Sequence, residues 1–289
     1  MSWRTVVISN SAKLDYKMGY MVVRQREITK IHISEIALLL IESTAVSMTA
    51  SLLAELTKHK VKVIFCDEKR NPSSELLPYY GSHDTSLKVR TQTAWDKETK
   101  QMIWTEIVSE KIRNQKKLLE EIGREGEAKL LQMYLEDMEL GDVTNREGHA
   151  AKVYFNSLFG KEFSRTSDIP FNVALNYGYG ILLSAVNREI VSNGYITQLG
   201  LFHDNMFNPF NLGSDLMEPF RIVVDRKVFE MRPEKLEHEE KMELVNLMNL
   251  EVKIDGKNNY LSNAIKIYCR SVFDALNDKD VSLLKFYKW

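Results

Sequence analysis

The sequence predicts an α+β protein, with a small β-rich N-terminal domain joined to a larger, all-α C-terminal domain. Short alternating and β-branched runs fill the first 72 residues, whereas from residue 87 onward apolar residues recur with a period near 3.6. A polar stretch with Pro, Gly and Ser lies between them and predicts a linker over 73–86. A chain of 289 residues also has the length at which one hydrophobic core tends to divide into two.

Four short runs open the N-terminal domain and predict hairpins of one sheet. A fifth run over Ile36–Glu42, apolar up to its last residue, predicts a buried strand, and Val61–Phe65 predicts a last one. Between them we expect a helix that Thr44 or Ser47 caps and that ends near Lys58. The four opening runs are T-V-V-I-S-N, A-K-L-D-Y-K, G-Y-M-V-V-R-Q and E-I-T-K-I-H-I-S.

Composition and charge narrow the class of protein. Hydrophobic residues make up 44% and charged residues 27%, as is ordinary for a soluble globular protein. The longest apolar run, Ile36–Ile41, is far too short to span a membrane, and the N-terminus lacks a signal peptide, so we expect a cytoplasmic protein. Two cysteines predict buried free thiols. A net charge of −1 argues mildly against nucleic-acid binding, although a local basic patch can act in a neutral chain.

The helical domain begins with a long pattern over Lys88–Ile122 and continues over Glu125–Glu139. Its densest basic segment is Lys111–Lys117, K-I-R-N-Q-K-K. This segment has two interpretations: a solvated helix face that pairs with the glutamates after it, or an edge where Lys111, Arg113 and Lys117 contact phosphates. The sequence has no P-loop, dinucleotide fingerprint, H-E-x-x-H motif or nucleophile elbow, so nucleotide-driven and serine-hydrolase classes lose support.

Two further helices carry candidate polar groups. Thr144-x-x-Glu147 is a capping box at the start of a helix to Phe159, yet small residues beside Glu147 would let a ligand approach its carboxylate. The helix over Phe171–Val191 is apolar on most sides, which places it at the domain centre. On it, Asn172 and Asn176 share one face. Arg165, in the loop before it, fits a surface salt bridge or a phosphate contact.

The stretch Gly200–Arg221 holds a histidine, His203, and two carboxylates, Asp215 and Glu218. Residues three apart on a helix lie on one face, so both acids and the histidine could bind one metal ion. The same D-x-x-E spacing also fits a helix cap, and the spacing alone leaves both interpretations open. Beyond it the pattern predicts helices over Phe220–Met231, Pro233–Leu250 and Leu261–Leu276, with a turn at Asp255-Gly256.

Three motifs now stand in order along the chain: N-R-E-G-H-A-A-x-x-Y-F at Asn145–Phe155, N-x-x-L-N-Y-G-Y at Asn172–Tyr179, and G-x-x-H-x-N followed by D-L-M-E-P-F-R within Gly200–Arg221. Together they resemble the CRISPR-associated integrase–nuclease family, the larger subunit of the complex that captures new spacers. The resemblance is strongest to the type II branch of that family. It covers nearly the whole chain, and the predicted architecture is also that of the family.

The resemblance implies which residues bind the catalytic metal. The family's ligands fall on Glu147, His203 and Glu218, which would also be the catalytic residues; many relatives have Asp at the last position. Two carboxylates and one imidazole suit Mg²⁺ or Mn²⁺. His203 would either ligate the metal or assist proton transfer. Residues matching positions that support the ligands or contact DNA are Asp215, Asn145, Asn172, Asn176, Arg146 and Arg165.

The implied activity is metal-dependent joining of the 3′-hydroxyl ends of captured DNA fragments to a CRISPR array by transesterification. The implied partners are double-stranded DNA, both prespacer and CRISPR repeat, a second copy of the chain bound through the β-rich domain, the small subunit of the complex, and other type II CRISPR proteins. Two alternatives stay open: a standalone metal-dependent nuclease or junction resolvase, and a non-catalytic scaffold for DNA ends.

Overall fold

The structure is a computed structural model that describes residues 4–68, 70–76, 78 and 82–288. Its N-terminal region contains eight strands and one helix, α1 (Ala50–Lys58), whose N-terminus is capped by Thr49 rather than by Thr44 or Ser47. The strands are β1 Arg4–Ile8, β2 Ala12–Lys17, β3 Tyr20–Arg24, β4 Ile28–His32, β5 Ile36–Ile41, β6 Val46–Met48, β7 Lys62–Cys66 and β8 Pro72–Leu76.

These strands form two four-stranded sheets, so the prediction of a single sheet was wrong. One sheet has the order β4-β3-β2-β6, and the other has the order β1-β5-β7-β8 with β1, β5 and β7 parallel. β8 takes up the start of the predicted linker, because Pro72–Leu76 pairs antiparallel with β7. Residues 77 and 79–81 of that linker lie outside the described part of the chain.

The wholly apolar β5 explains the split into two sheets. All six of its residues are buried, since parallel strands covered on both faces read as continuous hydrophobic runs. Ile36, Leu39 and Ile41 belong to the N-terminal core, whereas Leu38 and Leu40 belong to the core of the helical region. The sheet containing β5 therefore separates the two cores and contributes side chains to both.

The rest of the described chain is mostly helical, which confirms the predicted α+β class. The predicted helix over Lys88–Ile122 is two helices, because Asp96 caps a new helix that begins at Lys97. A small hairpin, β9 Glu251–Ile254 and β10 Lys257–Tyr260, surrounds the predicted turn at Asp255-Gly256. The helices are α2 Thr85–Thr93, α3 Lys97–Glu121, α4 Glu125–Glu136, α5 Arg146–Phe159, α6 Pro170–Ser192, α7 Asn211–Leu216, α8 Arg221–Met231, α9 His238–Asn246 and α10 Leu261–Asp278.

α6 lies at the centre of the helical region and contacts α7, α8, α9 and α10. More than half of its residues are buried, as its mostly apolar sequence predicts. α3 packs against α4, α5 and the turn at 218–220, so its buried face is directed toward the starts of α5 and α8. Both cysteines, Cys66 and Cys269, are buried free thiols. Among the described helices, none is long and apolar enough to cross a membrane.

Candidate active site

The first acid of the predicted site stands in the first turn of α5. Asn145, in a left-handed conformation, caps this helix by accepting a hydrogen bond from the Gly148 amide at 3.3 Å. Asp142 accepts from the amides of Arg146 and Glu147 at 2.6 and 3.1 Å. The prediction that Thr144 caps this helix is therefore wrong, and the side chain of Glu147 takes no part in capping.

Asp215 organises the loop that carries the histidine. It lies near the end of α7, fully buried, and so is not the N-cap that its spacing to Glu218 suggested. Its carboxylate accepts hydrogen bonds from the amides of Leu201, Phe202 and His203 at 2.6, 3.1 and 3.2 Å. One buried carboxylate thus fixes three successive backbone amides and the direction of the loop.

Gly200 makes this tight loop possible. A Cβ at this position would lie 2.3 Å from the carbonyl oxygen of His203 and 2.7 Å from Asp215 Oδ2. No side chain fits in that space, so the G-x-x-H spacing has a steric cause. Asn211 holds the outer part of the loop by donating to the carbonyl oxygens of Gln198 and Asn205.

The imidazole of His203 is oriented by the same carboxylate. Its Nδ1 lies 2.5 Å from Asp215 Oδ1, and this hydrogen bond raises the pKa of His203 although burial opposes the effect. Among the described residues none hydrogen-bonds Nε2. Trp104 and Phe202, stacked on each other at 4.6 Å, both contact the imidazole edge to face. With its Nδ1 proton directed at Asp215, the ring presents an Nε2 lone pair, the arrangement typical of metal-bound histidines.

Glu218 is the second acid, and it begins the 3₁₀ turn Glu218–Phe220 without capping it. It accepts hydrogen bonds from Lys111 Nζ at 2.5 Å and from Arg221 Nε at 2.9 Å. Burial alone would raise its pKa, but Arg221 and Lys111 outweigh burial and lower the pKa of Glu218 to about 2. The carboxylate is therefore ionised throughout the physiological range.

Lys111 joins the two acids, which the sequence did not predict. Its ammonium contacts Glu147 Oε1 and Glu218 Oε2, and these two carboxylates raise the pKa of Lys111 against the opposing effect of burial. The predicted exposed basic edge is thus corrected: Lys111 is only 8% exposed. Arg113 is exposed and pairs with Glu110, and Lys117 is half-buried. A signal was present, because Lys111 lies seven residues after Trp104 and so shares its helix face.

The carboxylates of Glu147 and Glu218 therefore both contact the ammonium of Lys111. His203 lies near Glu218, whose negative charge adds to the increase in the pKa of His203. The donor set of two carboxylates and an imidazole fits Mg²⁺ or Mn²⁺ chemically. Across residues 4–68, 70–76, 78 and 82–288, however, no three His, Cys, Asp or Glu side chains stand together as a ready metal site. The ammonium of Lys111 takes the place between the carboxylates that a metal cation would use.

The predicted asparagines hold an arginine, not the acids. Arg165 donates to Asn172 Oδ1 at 2.5 Å and to Asn176 Oδ1 at 2.7 Å. Its guanidinium lies 5.3 Å from the centre of the Tyr179 ring, and Arg221 lies 4.6 Å from the same ring. Asn172 also donates to the backbone carbonyl oxygens of Ser164 and Ser167. Among the described residues neither asparagine hydrogen-bonds the acids, and their support of the metal ligands stays a prediction. Arg146 packs over Tyr134 and lies 3.6 Å from Asp137.

Sequence reasoning missed another buried acid near the site, Asp225, which lies on α8 seven residues after Glu218. It accepts a hydrogen bond from the Tyr179 hydroxyl, and burial raises the pKa of Asp225 to about 6. The spacing Glu218–Arg221–Asp225 on consecutive turns was the available signal. From Glu218 through Arg221 to Asp225, successive turns therefore carry a negative, a positive and a negative side chain.

A groove of about 820 Å³ opens beside His203. α3 supplies one wall, with Lys97 and Lys100 near its start and Trp104 one turn further on. The opposite walls are the turn at 141–145 and the loop at 199–204. Phe202 gives the groove an exposed aromatic surface on which a base can stack. Its two lysines are matched by two aspartates, Asp142 and Asp204, so the groove has cationic contacts without a net positive charge.

Comparison with known proteins identifies the family. The family described as CRISPR associated protein Cas1 matches residues 5–263. The CRISPR-associated endonuclease Cas1 of Neisseria meningitidis serogroup C (strain 8013) is 32% identical over 291 residues, which covers 99% of this chain and 96% of that protein. Both agree with the family proposed from the three sequence motifs.

Solved structures share the fold. A casposase bound to integration product is 20% identical with a TM-score of 0.77, covering 96% of this chain and 91% of that one. A chain of a Cas6-RT-Cas1–Cas2 complex is 20% identical with a TM-score of 0.74 over 97% of this chain, which spans only 36% of that larger chain. From the family match and the Neisseria relative, the chain belongs to the Cas1 family of CRISPR-associated endonucleases.

Proposed function

We propose that the protein is a metal-dependent DNA integrase that joins the 3′-hydroxyl ends of captured DNA to a CRISPR repeat, with Mg²⁺ or Mn²⁺ held by Glu147, His203 and Glu218. The observation that carries the proposal is the convergence of Glu147 and Glu218 on one buried cation, beside a histidine oriented by Asp215. The casposase bound to its integration product has the same fold, which supports a DNA-joining activity.

The chemistry is a direct exchange of phosphodiester bonds. The 3′-hydroxyl of the incoming strand gives up its proton as its oxygen bonds to the target phosphorus. The bond from that phosphorus to the target 3′-oxygen breaks, and that oxygen takes up a proton to leave as a 3′-hydroxyl. The bound metal supplies charge neutralisation at the phosphoryl oxygens and helps to activate the hydroxyl. No nucleotide is hydrolysed, so a phosphate-binding loop is not needed.

The residues of the chain contribute position and proton transfer. Arg221 keeps Glu218 ionised and fixed through the 2.9 Å hydrogen bond. Asp215 holds the imidazole so that Nε2 faces away from it, where it can ligate the metal or hold the transferred proton. The groove gives a strand access to His203, which lines it. Arg113, Lys117, Arg146 and Arg165 remain predicted DNA contacts.

The test is a joining assay with a short duplex, a plasmid that carries the repeat, the small partner subunit and Mn²⁺. We expect Glu147→Ala, His203→Ala and Glu218→Ala each to lose product. His149→Ala is the matched control, because this exposed histidine lies on α5, packs near Tyr134 and should leave joining unchanged. Full joining by all three variants would overturn the proposal.

The same assay separates the alternatives. Cleavage of branched DNA without the partner subunit or a free 3′ end would indicate a standalone nuclease or junction resolvase. Binding of duplex ends with no product in Mn²⁺ would indicate a scaffold. The Cas6-RT-Cas1–Cas2 complexes with the same fold support a small partner subunit for this chain, whereas the type II assignment rests on the sequence motifs.

We also propose that the chain forms a homodimer through its β-rich region. The supporting observation is exposed apolar side chains at the sheet β4-β3-β2-β6: Met18, in the turn between β2 and β3, is 84% exposed, and Ile28, at the start of β4, is 61% exposed. Open strand edges and apolar surface of this kind favour pairing with another chain. Light scattering should show that the wild-type protein is a dimer and that Ile28→Lys lowers the dimer fraction. A monomeric wild-type protein would contradict the proposed homodimer.

A further inference from the structure

The two acids of the site are already balanced by two cations of the same chain. Lys111 contacts both Glu147 and Glu218, and Arg221 binds the remaining oxygen of Glu218. The four side chains together carry two negative and two positive charges. Glu218 and Lys111 are almost entirely buried, with side-chain exposures of 5% and 9%.

This balance has a consequence for metal binding. A divalent cation added to these four side chains would bring their sum to +2, beside the buried carboxylates of Asp215 and Asp225, and it would lie against the ammonium of Lys111, which repels it. Two changes relieve it: the ammonium of Lys111 leaves the carboxylates, or anions enter beside it. The phosphodiesters of DNA are the anions that the proposed reaction brings to this place.

We propose that Lys111 is a positioning residue that holds the two carboxylates together in the metal-free protein and makes the binding of metal and DNA cooperative. This rests on the proposed metal-dependent function. When a metal binds, the ammonium moves from the carboxylates to a DNA phosphate, which its flexible four-carbon stem allows. The free protein therefore binds metal weakly, DNA strengthens that binding, and by linkage metal strengthens DNA binding by the same factor.

The test measures Mn²⁺ binding by electron paramagnetic resonance, with and without a short duplex whose 3′ ends are dideoxy, so that no chemistry occurs. In the wild-type protein we expect DNA to tighten Mn²⁺ binding at least tenfold. Lys111→Met should bind Mn²⁺ at least tenfold more tightly without DNA, and DNA should then add little. Lys111→Arg, which keeps the cation, should behave like the wild type.

Lys116→Met is the matched control, because it removes a lysine of the same helix that pairs only with Glu120 at the surface. It should leave Mn²⁺ binding unchanged, and circular dichroism checks that each variant is folded. Equal Mn²⁺ affinity of wild type and Lys111→Met, or no effect of DNA in the wild type, would overturn the role of Lys111. If Glu147→Ala binds Mn²⁺ as the wild type does, the proposed metal site itself fails, which is a distinguishable result.

Discussion

Replacing Glu218 by glutamine should destabilise the protein far more than the same change at Glu147, although both should abolish joining. Glu218 is 5% exposed in its side chain and pairs with Lys111 and Arg221, whereas Glu147 is 29% exposed and pairs with Lys111 alone. Glu218→Gln leaves the partly buried guanidinium of Arg221, 26% exposed, without the carboxylate that it binds. Glu147→Gln leaves Lys111 still paired with Glu218.

The magnitude follows from the pKa of Glu218. Its reduction from 4.5 to about 2 corresponds to about 3 kcal/mol at neutral pH, at roughly 1.4 kcal/mol per pKa unit. In other proteins, removing one partner of a buried ion pair lowers the free energy of unfolding by about 3–5 kcal/mol, which agrees with the value from the pKa. For Glu147→Gln we expect the free energy of unfolding to fall by less than about 1 kcal/mol, as for partly exposed ion pairs.

Urea denaturation followed by helical circular dichroism measures both variants. A depressed pKa stabilises the folded state above the unfolded pKa and loses that effect as pH falls. The difference between wild type and Glu218→Gln should therefore be full at pH 7 and shrink below about pH 4.5, toward the folded pKa of about 2. A Glu218→Gln variant within about 1 kcal/mol of wild type at pH 7 would refute the reasoning.

Three further predictions concern the surroundings of the site. Asp225 keeps its proton to about pH 6 in the folded state, so the free energy of unfolding of the wild type should fall between pH 4 and 6. Relative to the wild type, Asp225→Asn should gain up to roughly 3 kcal/mol of that free energy over the same range, measured by urea denaturation. A difference between the two proteins that does not change with pH would contradict this. Gly178→Ala should cost about 1–3 kcal/mol, because its Cβ would lie 2.5 Å from Val224. The control Gly180→Ala, with nothing nearer than 3.7 Å, should not destabilise. In Asp215→Asn the new amide should donate to His203 Nδ1, so that the proton of the imidazole moves to Nε2. This should weaken Mn²⁺ binding about 10–100-fold in a titration. An unchanged Mn²⁺ affinity would exclude this role of Asp215.

Local patterns predicted most elements because they report local causes. The alternating runs became β1 to β4, and the 3.6-residue period became α2 to α6 and α8 to α10, whereas the short α7 was not predicted. The division of the strands between two sheets was not predictable, since it depends on which faces of β5 are covered. A six-residue apolar run is compatible with burial on either face, and only the helical region packed against Leu38 and Leu40 decides it.

The candidate site shows the same limit at the level of single residues. The spacing of Thr144 and Glu147 fits a capping box, but Asp142 bonds the amides of the first turn and Asn145 takes the cap. Asp142 is only four residues before Arg146, so its distance along the chain is not what hides it. The capping-box pattern assumes an extended N-cap, whereas Gly141, Asp142 and Asn145 all have positive φ and bring the carboxylate of Asp142 back to the first turn.

For Lys111 the sequence pattern predicts a solvent-exposed side chain, but the structure shows a buried one. A run of basic residues followed by glutamates predicts a solvated face, and for Arg113 the structure shows an exposed pair. One residue of that run faces inward because α3 also carries Trp104 seven residues earlier, on the face that packs against the starts of α5 and α8. Two neighbouring carboxylates repel each other, and the ammonium of Lys111 between Glu147 and Glu218 offsets that repulsion. This role of Lys111 follows from the packing of α3 against the turns that carry the two acids, and the local charge pattern does not contain it.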